Sequence, residues 1–524
     1  MITNQSSQTE RSLLRRLPFR VLSTTFACAL VVSACNGDDD TGDDADSAGA
    51  PGSGGRAGST GGRSSGSGGR TQGTGGLGEG GVGAAQGAGG GSSGGTGGGS
   101  SGGASGGVTG MAGDGGLGGT GPTVPCDSDN GGIELPESFC AVLAAEGLGR
   151  ARHVTVSPSG DVFVAVNPSP GGSEPGRIIA LRDADQDGKL EERTTFNTRG
   201  GNGIVWRNGA LYFAENDRIL KYTLPDGRLA PTSEPEVIVS GLPTSGDHPS
   251  KTIALSDDET LFVNIGSASN SCQFDNREPG SPGQEPCEEL EERAGIWVFD
   301  PTVSNQEQSD GQRFAAGTRN ANALAIQPST AALWAVANGR DQLYQNWPEL
   351  FDPTADILLP SEGLYLVEDG AHYGWPYCYH DPAIGLVLAP EYGGDGQTTA
   401  DCASYLEPDF AFPGHWAPLG AVFYEGDQFP ERYQGGLFVA FHGSRFEPNA
   451  TGDLPGYQVG FLPFNGDEPT DAFETFASGF AGDSRPLPTE AAARPVGVTV
   501  APDGSLYITD DHGGNLWRVF YTGE

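Results

Sequence analysis

An all-β fold, a six-bladed β-propeller, is what this 524-residue sequence predicts. Three observations predict it. Short runs rich in Val, Ile, Leu, Phe and Tyr, bounded by turn residues, follow one another from residue 150 onward, and the pattern is that of strands, not helices. One unit recurs six times: an apolar strand, a turn of the Pro/Asp/Asn-Gly type, and an aromatic-rich strand. Finally, "FCAVLAA" at 139–145 is placed to pair with the terminal "LWRVFY" and close the ring, which hides the edges that an open sheet would expose.

The six units are "VTVSPSGDVFVAV" from 154, "IVWRNGALYFAE" from 204, "IALSDDETLFVNIG" from 253, "LAIQPSTAALWAV" from 324, "AVFYEGDQFPERYQGGLFVAF" from 421 and "VTVAPDGSLYITD" from 498. Their starts lie 50, 49, 71, 97 and 77 residues apart. The shorter spacings approach those of propeller blades, and the longer ones imply inserted loops. A β-sandwich would account for the strand content but not for the repeated unit.

Upstream of the strands the chain changes character twice. Residues 1–35 carry a basic segment, a short apolar stretch and "VSAC", ending in Cys35. This pattern is a secretory signal too short for a comfortable membrane span, and "VSAC" resembles the bacterial lipobox, in which the cysteine takes a lipid. An ordinary signal peptide cut nearby is the plainer alternative. Residues 36–125 are nearly all Gly, Ser, Thr, Ala and Asp; such a tract buries too little apolar surface to offset chain entropy and reads as a flexible tether. Its "GEGGVG" at 78–83 formally matches a dinucleotide-binding pattern, but without a flanking strand and helix the match is chance. The expectation is therefore an exported protein anchored by a lipid on Cys35 to the bacterial cell envelope, on the periplasmic or cell-surface face, with the outer membrane favoured. Residues 126–524 form the folded part.

Composition excludes one class of partner. Residues 126–524 hold 59 acidic and 22 basic side chains, a surplus of negative charge that repels nucleic-acid phosphates. An anionic ligand must be met by a few deliberately placed cations. The six cysteines of this part fall into close pairs, 126/140, 272/287 and 378/402. Three local disulfides suit an oxidising compartment, and the absence of a C-x-x-C spacing argues against a zinc ribbon.

Seven stretches carry the functional signal: "GDHPSKTIAL", "GTRNANALAI", "NGRDQL", "HYGWPYC", "HWAPLGAVFY", "FVAFHGS" and "RPVGVTVAPDGSLYITDDHGGNLWRV". In this order they resemble the soluble quinoprotein glucose/sorbosone dehydrogenases and the related pyranose dehydrogenases, over about residues 138 to 522. The resemblance implies a six-bladed propeller that holds pyrroloquinoline quinone (PQQ) and Ca²⁺ at the top of its channel. It further implies oxidation of a sugar or aldehyde with hydride transfer to the quinone.

Residue by residue, the resemblance gives His248 the part of general base, with Asp247 beside it to orient the ring. A neutral imidazole suits proton removal near pH 7; the plainer reading of an isolated loop histidine is a solvated one. Arg319 and Asn320 match an Arg–Asn pair that contacts the quinone, and a guanidinium suits its carboxylates and the charge it gains on reduction. Lys251 could serve a cofactor carboxylate, or be a solvated lysine at a strand end. "NGRD", Asn338 to Asp341, falls where backbone carbonyls bind the calcium beside PQQ, which carries Gly339 and Arg340 over as ligands. The chain departs from glucose-oxidising members in its fifth unit. It has Glu425 and no lysine there, and His442, Ser444 and Arg445 stand where an arginine pair is expected; these three could replace those contacts. His415 is either a substrate-side residue or a packed loop histidine. "HYGWPYC" reads as a packing turn.

A separate acidic run, "DADQDGKLEE" at 183–192, opens like an EF-hand loop, but its twelfth position is Thr194. A compact calcium loop using Asp183, Asp185, Asp187, the Lys189 carbonyl and Glu191, or a solvated acidic turn, are both open. The leading function is thus a lipid-anchored PQQ-dependent sugar or aldehyde dehydrogenase, passing electrons to a partner the sequence does not name. The alternative is a non-catalytic propeller lipoprotein that binds a carbohydrate or protein.

Overall fold

The computed structural model describes residues 126–225, 227–444, 456–482 and 490–523. Cys35, the signal segment, the tether and Arg445 lie outside the described residues. Among the described residues the strands form six sheets of four or five strands and two small hairpins. Each of the six sequence units supplies the two inner strands of one sheet.

Blade 1 runs Arg150–Val156, Val162–Asn167, Arg177–Arg182 and Glu192–Phe196, and blade 2 runs Ile204–Arg207, Ala210–Ala214, Ile219–Thr223 and Glu236–Ser240. Blade 3 is built on Ile253–Leu255, Leu261–Ile265, Gly295–Phe299 and Gln312–Ala316, and blade 4 on Asn320–Ile326, Leu333–Asn338, Glu362–Leu366 and Phe410–Phe412. Blade 5 uses Pro418–Phe423, Leu437–Phe441, Gln458–Leu462 and Glu474–Ala477. Blade 6 uses Pro495–Val500, Leu506–Asp510 and Leu516–Tyr521, and its fourth strand is Phe139–Ala145, from the other end of the domain. That strand pairs antiparallel with Leu516–Tyr521, Phe139 opposite Tyr521, and the ring closes as the sequence predicts.

The second strand of each blade is buried almost throughout, for example Ala210–Ala214, Leu261–Ile265 and Leu437–Phe441. A blade has a neighbour on both faces, so its middle strands cannot alternate between apolar and polar; a continuous apolar run is required. Six apolar cores follow, one between each pair of adjacent blades. Phe163, Leu211 and Phe213 fill the space between blades 1 and 2. Phe438, Phe461, Ile508 and Trp517 do so between blades 5 and 6. Val164, Ile179, Tyr507 and Leu516 join blade 6 back to blade 1.

All three local disulfides are present: Cys126–Cys140, Cys272–Cys287 and Cys378–Cys402. The first ties the chain to the closing strand. The other two staple long insertions over blades 3 and 4, and "HYGWPYC" is the packing turn expected: Trp375 packs with the Cys272–Cys287 pair, and its indole donates to Asn270 O at 2.9 Å. No described helix is long and apolar enough to cross a membrane.

The antiparallel pairing fixes where function can sit. In every blade the first strand starts, and the second ends, on the same rim: Arg150 opposes Asn167, Asn320 opposes Asn338, Pro418 opposes Phe441 and Pro495 opposes Asp510. Four of the six first strands carry a register shift at this end, between Ala151 and Val154, Asn320 and Ala323, Pro418 and Gly420, and Pro495 and Val498. Such bulges re-aim side chains away from the ladder, here at the mouth of the channel.

Candidate functional site

The sequence-predicted residues His248, Arg319, Asn320, Asn338, Gly339, Arg340, His442 and Ser444 all fall on that one rim, because each lies at a start of a first strand or an end of a second. They divide into two groups, one over blades 3 and 4 and one around blades 1, 5 and 6.

His248 is buried, 7 % exposed. Its Nδ1 lies 3.0 Å from the carbonyl of Ser267 and 2.9 Å from Ser267 Oγ. The Ser267 hydroxyl proton is already given to Ser269 O at 2.6 Å, so both Ser267 oxygens act as acceptors toward the ring. Nδ1 therefore carries the proton and Nε2 carries the lone pair. Burial, reinforced by the charge of Arg319, pushes the imidazole well below its usual range, which keeps it neutral at pH 7. Gly266 brings His248 against the Arg–Asn pair: a Cβ there would lie 2.6 Å from His248 Cβ and 2.8 Å from Asn320 Oδ1.

The expected orienting role of Asp247 is corrected by this geometry. The Asp247 carboxylate accepts from Arg277 Nε at 3.0 Å and from Asn276 Nδ2 at 3.3 Å, while Ser267 holds the histidine. Neighbours in sequence do not share a direction, and the partner comes from the next strand end. Lys251 is likewise turned inward: its ammonium donates to the carbonyls of Pro243 and Pro249, and it braces the loop that carries His248 instead of reaching outward as a strand-end lysine would.

Arg319 donates to Asn270 O and Oδ1, each at 3.2 Å, and meets Asp341 Oδ2 at 3.3 Å. Asp341 also faces Arg277 at 3.4 Å and His415 Nδ1 at 3.5 Å, which makes it the hub that sequence reasoning passed over inside "NGRDQL". Burial alone would lower His415, but its hydrogen bond to Asp341 and the charges of Asp341 and Glu362 raise it. Glu362, also missed, accepts from Gly339 N at 2.6 Å and is pushed up to about 6 by burial. The Arg340 guanidinium is locked in a buried pair with Glu391 at 2.5 Å, which leaves its backbone carbonyl as the part of the residue that the resemblance assigns to calcium.

Do these residues suit PQQ and Ca²⁺? Two buried oxygens on the rim, Thr318 Oγ1 and Asn338 Oδ1, have no hydrogen-bond partner. Buried polar atoms without partners are costly, and here they flank Arg319 and the Gly339–Arg340 turn. An amide oxygen beside backbone carbonyls is the hard donor set Ca²⁺ takes, and Arg319 and Arg277 are long-contact partners of Asp341 that a carboxylate ligand can engage. The donor chemistry therefore fits an anionic quinone with a calcium ion, through fewer cations than the motifs imply.

Across the mouth, His442 Nε2 lies 2.7 Å from Asp511 Oδ1, and Asp511 Oδ2 accepts from Arg152 Nη1 at 2.7 Å. Arg494 donates to the carbonyls of His442 and Gly443, each at 3.0 Å, and Ser444 O accepts from Tyr457 OH at 2.9 Å. Asp511, Arg152 and Arg494 were not singled out from sequence; Asp511 stands in "YITDDHGG", and only its place at a strand end could have marked it.

The acidic run lies on the opposite rim, in the turn between Arg177–Arg182 and Glu192–Phe196. Side-chain oxygens of Asp183, Asp185, Asp187 and Glu191 converge within 4.8 Å of one another. The loop is shaped by its own backbone: Gly188 N donates to Asp183 at 3.0 Å and Lys189 N to Asp187 at 2.8 Å. Arg518 Nη1 is the cation at its back, 3.4 Å from Asp183.

The comparisons agree with this architecture. The propeller is similar to a carbohydrate-active enzyme of family AA12 from Trichoderma reesei, determined with iodide, at TM-score 0.60 and 19 % identity, covering 74 % of this chain and 98 % of that one. It is equally similar to the holo form of the pyranose dehydrogenase PQQ domain of Coprinopsis cinerea, at TM-score 0.60 and 18 % identity, covering 76 % and 99 %. At these identities the likeness is one of fold. An uncharacterized protein of Borreliella burgdorferi is 28 % identical over 208 residues, 40 % of this chain; the chain spans about half the length of that curated relative, 48 %. The TrAA12-like family model matches residues 133–522, which takes in the whole span over which the motifs carry their resemblance. The chain belongs to the TrAA12-like family.

Proposed function

We propose that the protein is a PQQ-dependent dehydrogenase of a sugar or aldehyde, with His248 as the base. The observation that supports this most is the tautomer of His248: a buried, neutral imidazole whose Nδ1 is fixed by Ser267 and whose Nε2 keeps its lone pair, side by side with Asn320 and Arg319. The pyranose dehydrogenase domain with the same fold is described as a PQQ domain in its holo form, and another structure of the Trichoderma reesei AA12 enzyme was determined with calcium. Arg319 and Asn320 would hold the cofactor, and Asn338 with the Gly339 and Arg340 carbonyls would hold Ca²⁺. PQQ, when bound, supplies a quinone carbonyl that accepts hydride from the hydroxyl-bearing carbon. His248 takes the hydroxyl proton at Nε2, and Ser267 keeps the ring aimed as its charge develops.

Titrating the apoprotein with PQQ and Ca²⁺ while recording absorption tests the reading, followed by dye-linked assays on aldoses and aldehydes. A cofactor spectrum and turnover are expected. A second reading, a propeller that only binds a carbohydrate or protein, is favoured by Glu425 at the fifth-blade lysine position and by the inward engagement of Lys251 and Arg340; failure to bind PQQ would remove the first reading and leave this one to be tested by carbohydrate binding. We also propose export and lipid anchoring through Cys35. Cys35→Ser should leave the membrane fraction, and its retention there would refute the anchor. Calcium in the Asp183 loop is a further proposal, with a structural role.

A further inference from the structure

One buried side chain joins two of the mouth motifs, and neither motif contains it. Asn270 lies in the loop that follows Leu261–Ile265, the second strand of blade 3, and is 0 % exposed. The loop is fixed by contacts on either side of it. Ser267 N donates to Arg319 O at 2.8 Å. The Glu289 carboxylate accepts from Ala268 N at 2.6 Å, from Ser269 N at 3.1 Å and from Ser269 Oγ. Glu289 stands just after Cys287, whose disulfide to Cys272 closes the far end of the loop. Asn270 N donates to Asn276 Oδ1 at 3.0 Å. The backbone at Asn270 is therefore set by partners from outside the loop.

The side-chain amide meets Asp341 with both of its polar ends. Its Oδ1 accepts from Asp341 N at 2.9 Å, and its Nδ2 donates to Asp341 O at 2.9 Å. Two N–H donors, from Asp341 N and Arg319 Nη2, converge on Oδ1, which fixes which end of the amide is the oxygen. Arg319 is gripped along one edge: Nε donates to Asn270 O and Nη2 to Asn270 Oδ1, each at 3.2 Å. The buried Trp375 adds its Nε1–H to Asn270 O at 2.9 Å. With that edge held, and Nη2 also on Asp341, Nη1 is the end of the guanidinium with no partner among the described residues. A carboxamide supplies this set and its nearest substitutes do not: a carboxylate has no donor for Asp341 O, and a methyl group has neither donor nor acceptor.

We propose that Asn270 is a positioning residue of the mouth: it holds the Nε–Nη2 edge of Arg319 so that Nη1 is left to meet a carboxylate of the quinone, and with the same amide it locks Asp341 at the end of the Asn338–Asp341 turn. It acts through Arg319 and Asp341 and moves neither proton nor electron. A guanidinium already fixed in its plane loses little freedom when an anion arrives, and affinity rises because that ordering has been done in advance. The role in ligand binding rests on the PQQ-dependent reading; the hold on Arg319 and Asp341 does not.

Two measurements test it. The first is hydrogen exchange in the ¹⁵N-labelled apoprotein, with the Arg319 Nε signal assigned by Arg319→Lys. Arg319 Nε–H and the Asp341 amide should exchange slowly in wild type and at least about tenfold faster in Asn270→Ala, while Val263 in the blade-3 strand stays protected. Fast exchange of Arg319 Nε–H in wild type overturns the proposal whether or not the variant folds, and so does unchanged exchange in the variant. The second is a PQQ titration at saturating Ca²⁺, followed by absorption. Asn270→Ala, and Asn270→Asp, which keeps the shape but sets a carboxylate oxygen against Asp341 O, should each raise the Kd at least about tenfold. Because Asn270 acts through Arg319, Asn270→Ala should add less than about threefold to the loss that Arg319→Gln already causes. Full additivity, or variants that lose melting temperature but keep the wild-type Kd, would make Asn270 a structural brace and overturn the proposal. A wild type that never binds PQQ removes the quinone-dependent reading and with it the ligand role, while the exchange rates still decide the hold on Arg319 and Asp341.

Discussion

Both rims of this propeller collect charged side chains, and the two collections are built in opposite ways. At the channel mouth the carboxylates come with cations or hydrogen-bond donors and are largely buried: Glu391 with Arg340, Asp511 with Arg152 and His442, and the partly exposed Asp341 with Arg319, Arg277 and His415. On the opposite rim, Asp185, Asp187 and Glu191 are exposed, and four carboxylates converge with Arg518 touching only one of them. Pairing in a dry environment fixes geometry and protonation, which is what a reacting site needs. Convergence without pairing leaves negative charge to be neutralised by an ion, which is what a stabilising site needs. The two rims should therefore separate under mutation: changes at the mouth alter rate, and changes at the loop alter stability.

The largest effect should come from His248→Ala. General-base removal typically costs about 10²- to 10⁴-fold in rate, and the loss should appear in kcat, because the proton moves only in the transition state. PQQ and Ca²⁺ should still bind, and the melting temperature should change little. Dye-linked kinetics beside a PQQ titration decide this; a variant with wild-type kcat would make His248 a bystander.

A smaller effect of the same kind is expected from Gly266→Ala. The added methyl meets His248 Cβ at 2.6 Å and Asn320 Oδ1 at 2.8 Å, so the base and the Arg–Asn pair must separate. Misplacement of a reacting group by about an ångström can cost up to about 10²-fold, and a tenfold fall in kcat is the expected minimum. If the rate holds while the protein binds PQQ normally, the contact between base and cofactor pair has no catalytic weight.

How much of this was legible in the sequence depends on how far apart the partners lie along the chain. The six units, the closing strand and the three disulfides were legible because each rests on local signals: a turn between two apolar runs, a final strand seeking a partner, cysteines 14 to 24 residues apart. That His248, Arg319 and Asn338 lie close to strand ends was legible too, from the apolar runs that flank them. The partnerships were not. Asp247 lies beside His248 in sequence, yet Ser267 holds the ring; Asp511 reaches His442 across 69 residues and Arg152 across 359. Ring closure makes the first and last blades neighbours, and no local pattern records that adjacency.

The pH dependence of stability sharpens the contrast from the mouth side. His153 is lowered to about 4 by burial, and His248 is also held well below its ordinary value. Between about pH 6.5 and 4 the unfolded chain takes up protons that the native state refuses, so stability is present above about 6.5 and is lost as pH falls through that window. His153 alone accounts for roughly 3 kcal/mol over the full shift. His415, raised by Asp341 and Glu362, works in the other sense and loses its contribution as pH rises through its own value. Chemical denaturation at pH 7.5, 6 and 4.5 should show a progressive loss toward acid; a flat profile would mean these rings are solvated. Activity should persist below pH 6.5, because the depressed value of His248 keeps the base unprotonated there.

The smallest expected effect tests the opposite rim. If Ca²⁺ joins Asp183, Asp185, Asp187 and Glu191, it binds the native loop and not the unfolded chain, and mass action raises stability by about 2.7 kcal/mol at a free concentration 100 times the Kd. In a domain of this size that is a shift of a few degrees in melting temperature. EDTA should lower the wild-type value and added Ca²⁺ restore it. Asp185→Ala removes one exposed carboxylate with few contacts of its own, so its melting temperature should match that of the chelated wild type and no longer respond to Ca²⁺. A calcium response that survives in Asp185→Ala would place the stabilising ion elsewhere, with the Gly339–Arg340 turn at the mouth as the first alternative. PQQ-loaded kcat should be the same in this variant as in wild type, because the loop and His248 lie at opposite ends of the channel. If it fell with the melting temperature held constant, the separation between a reacting rim and a stabilising rim would not hold.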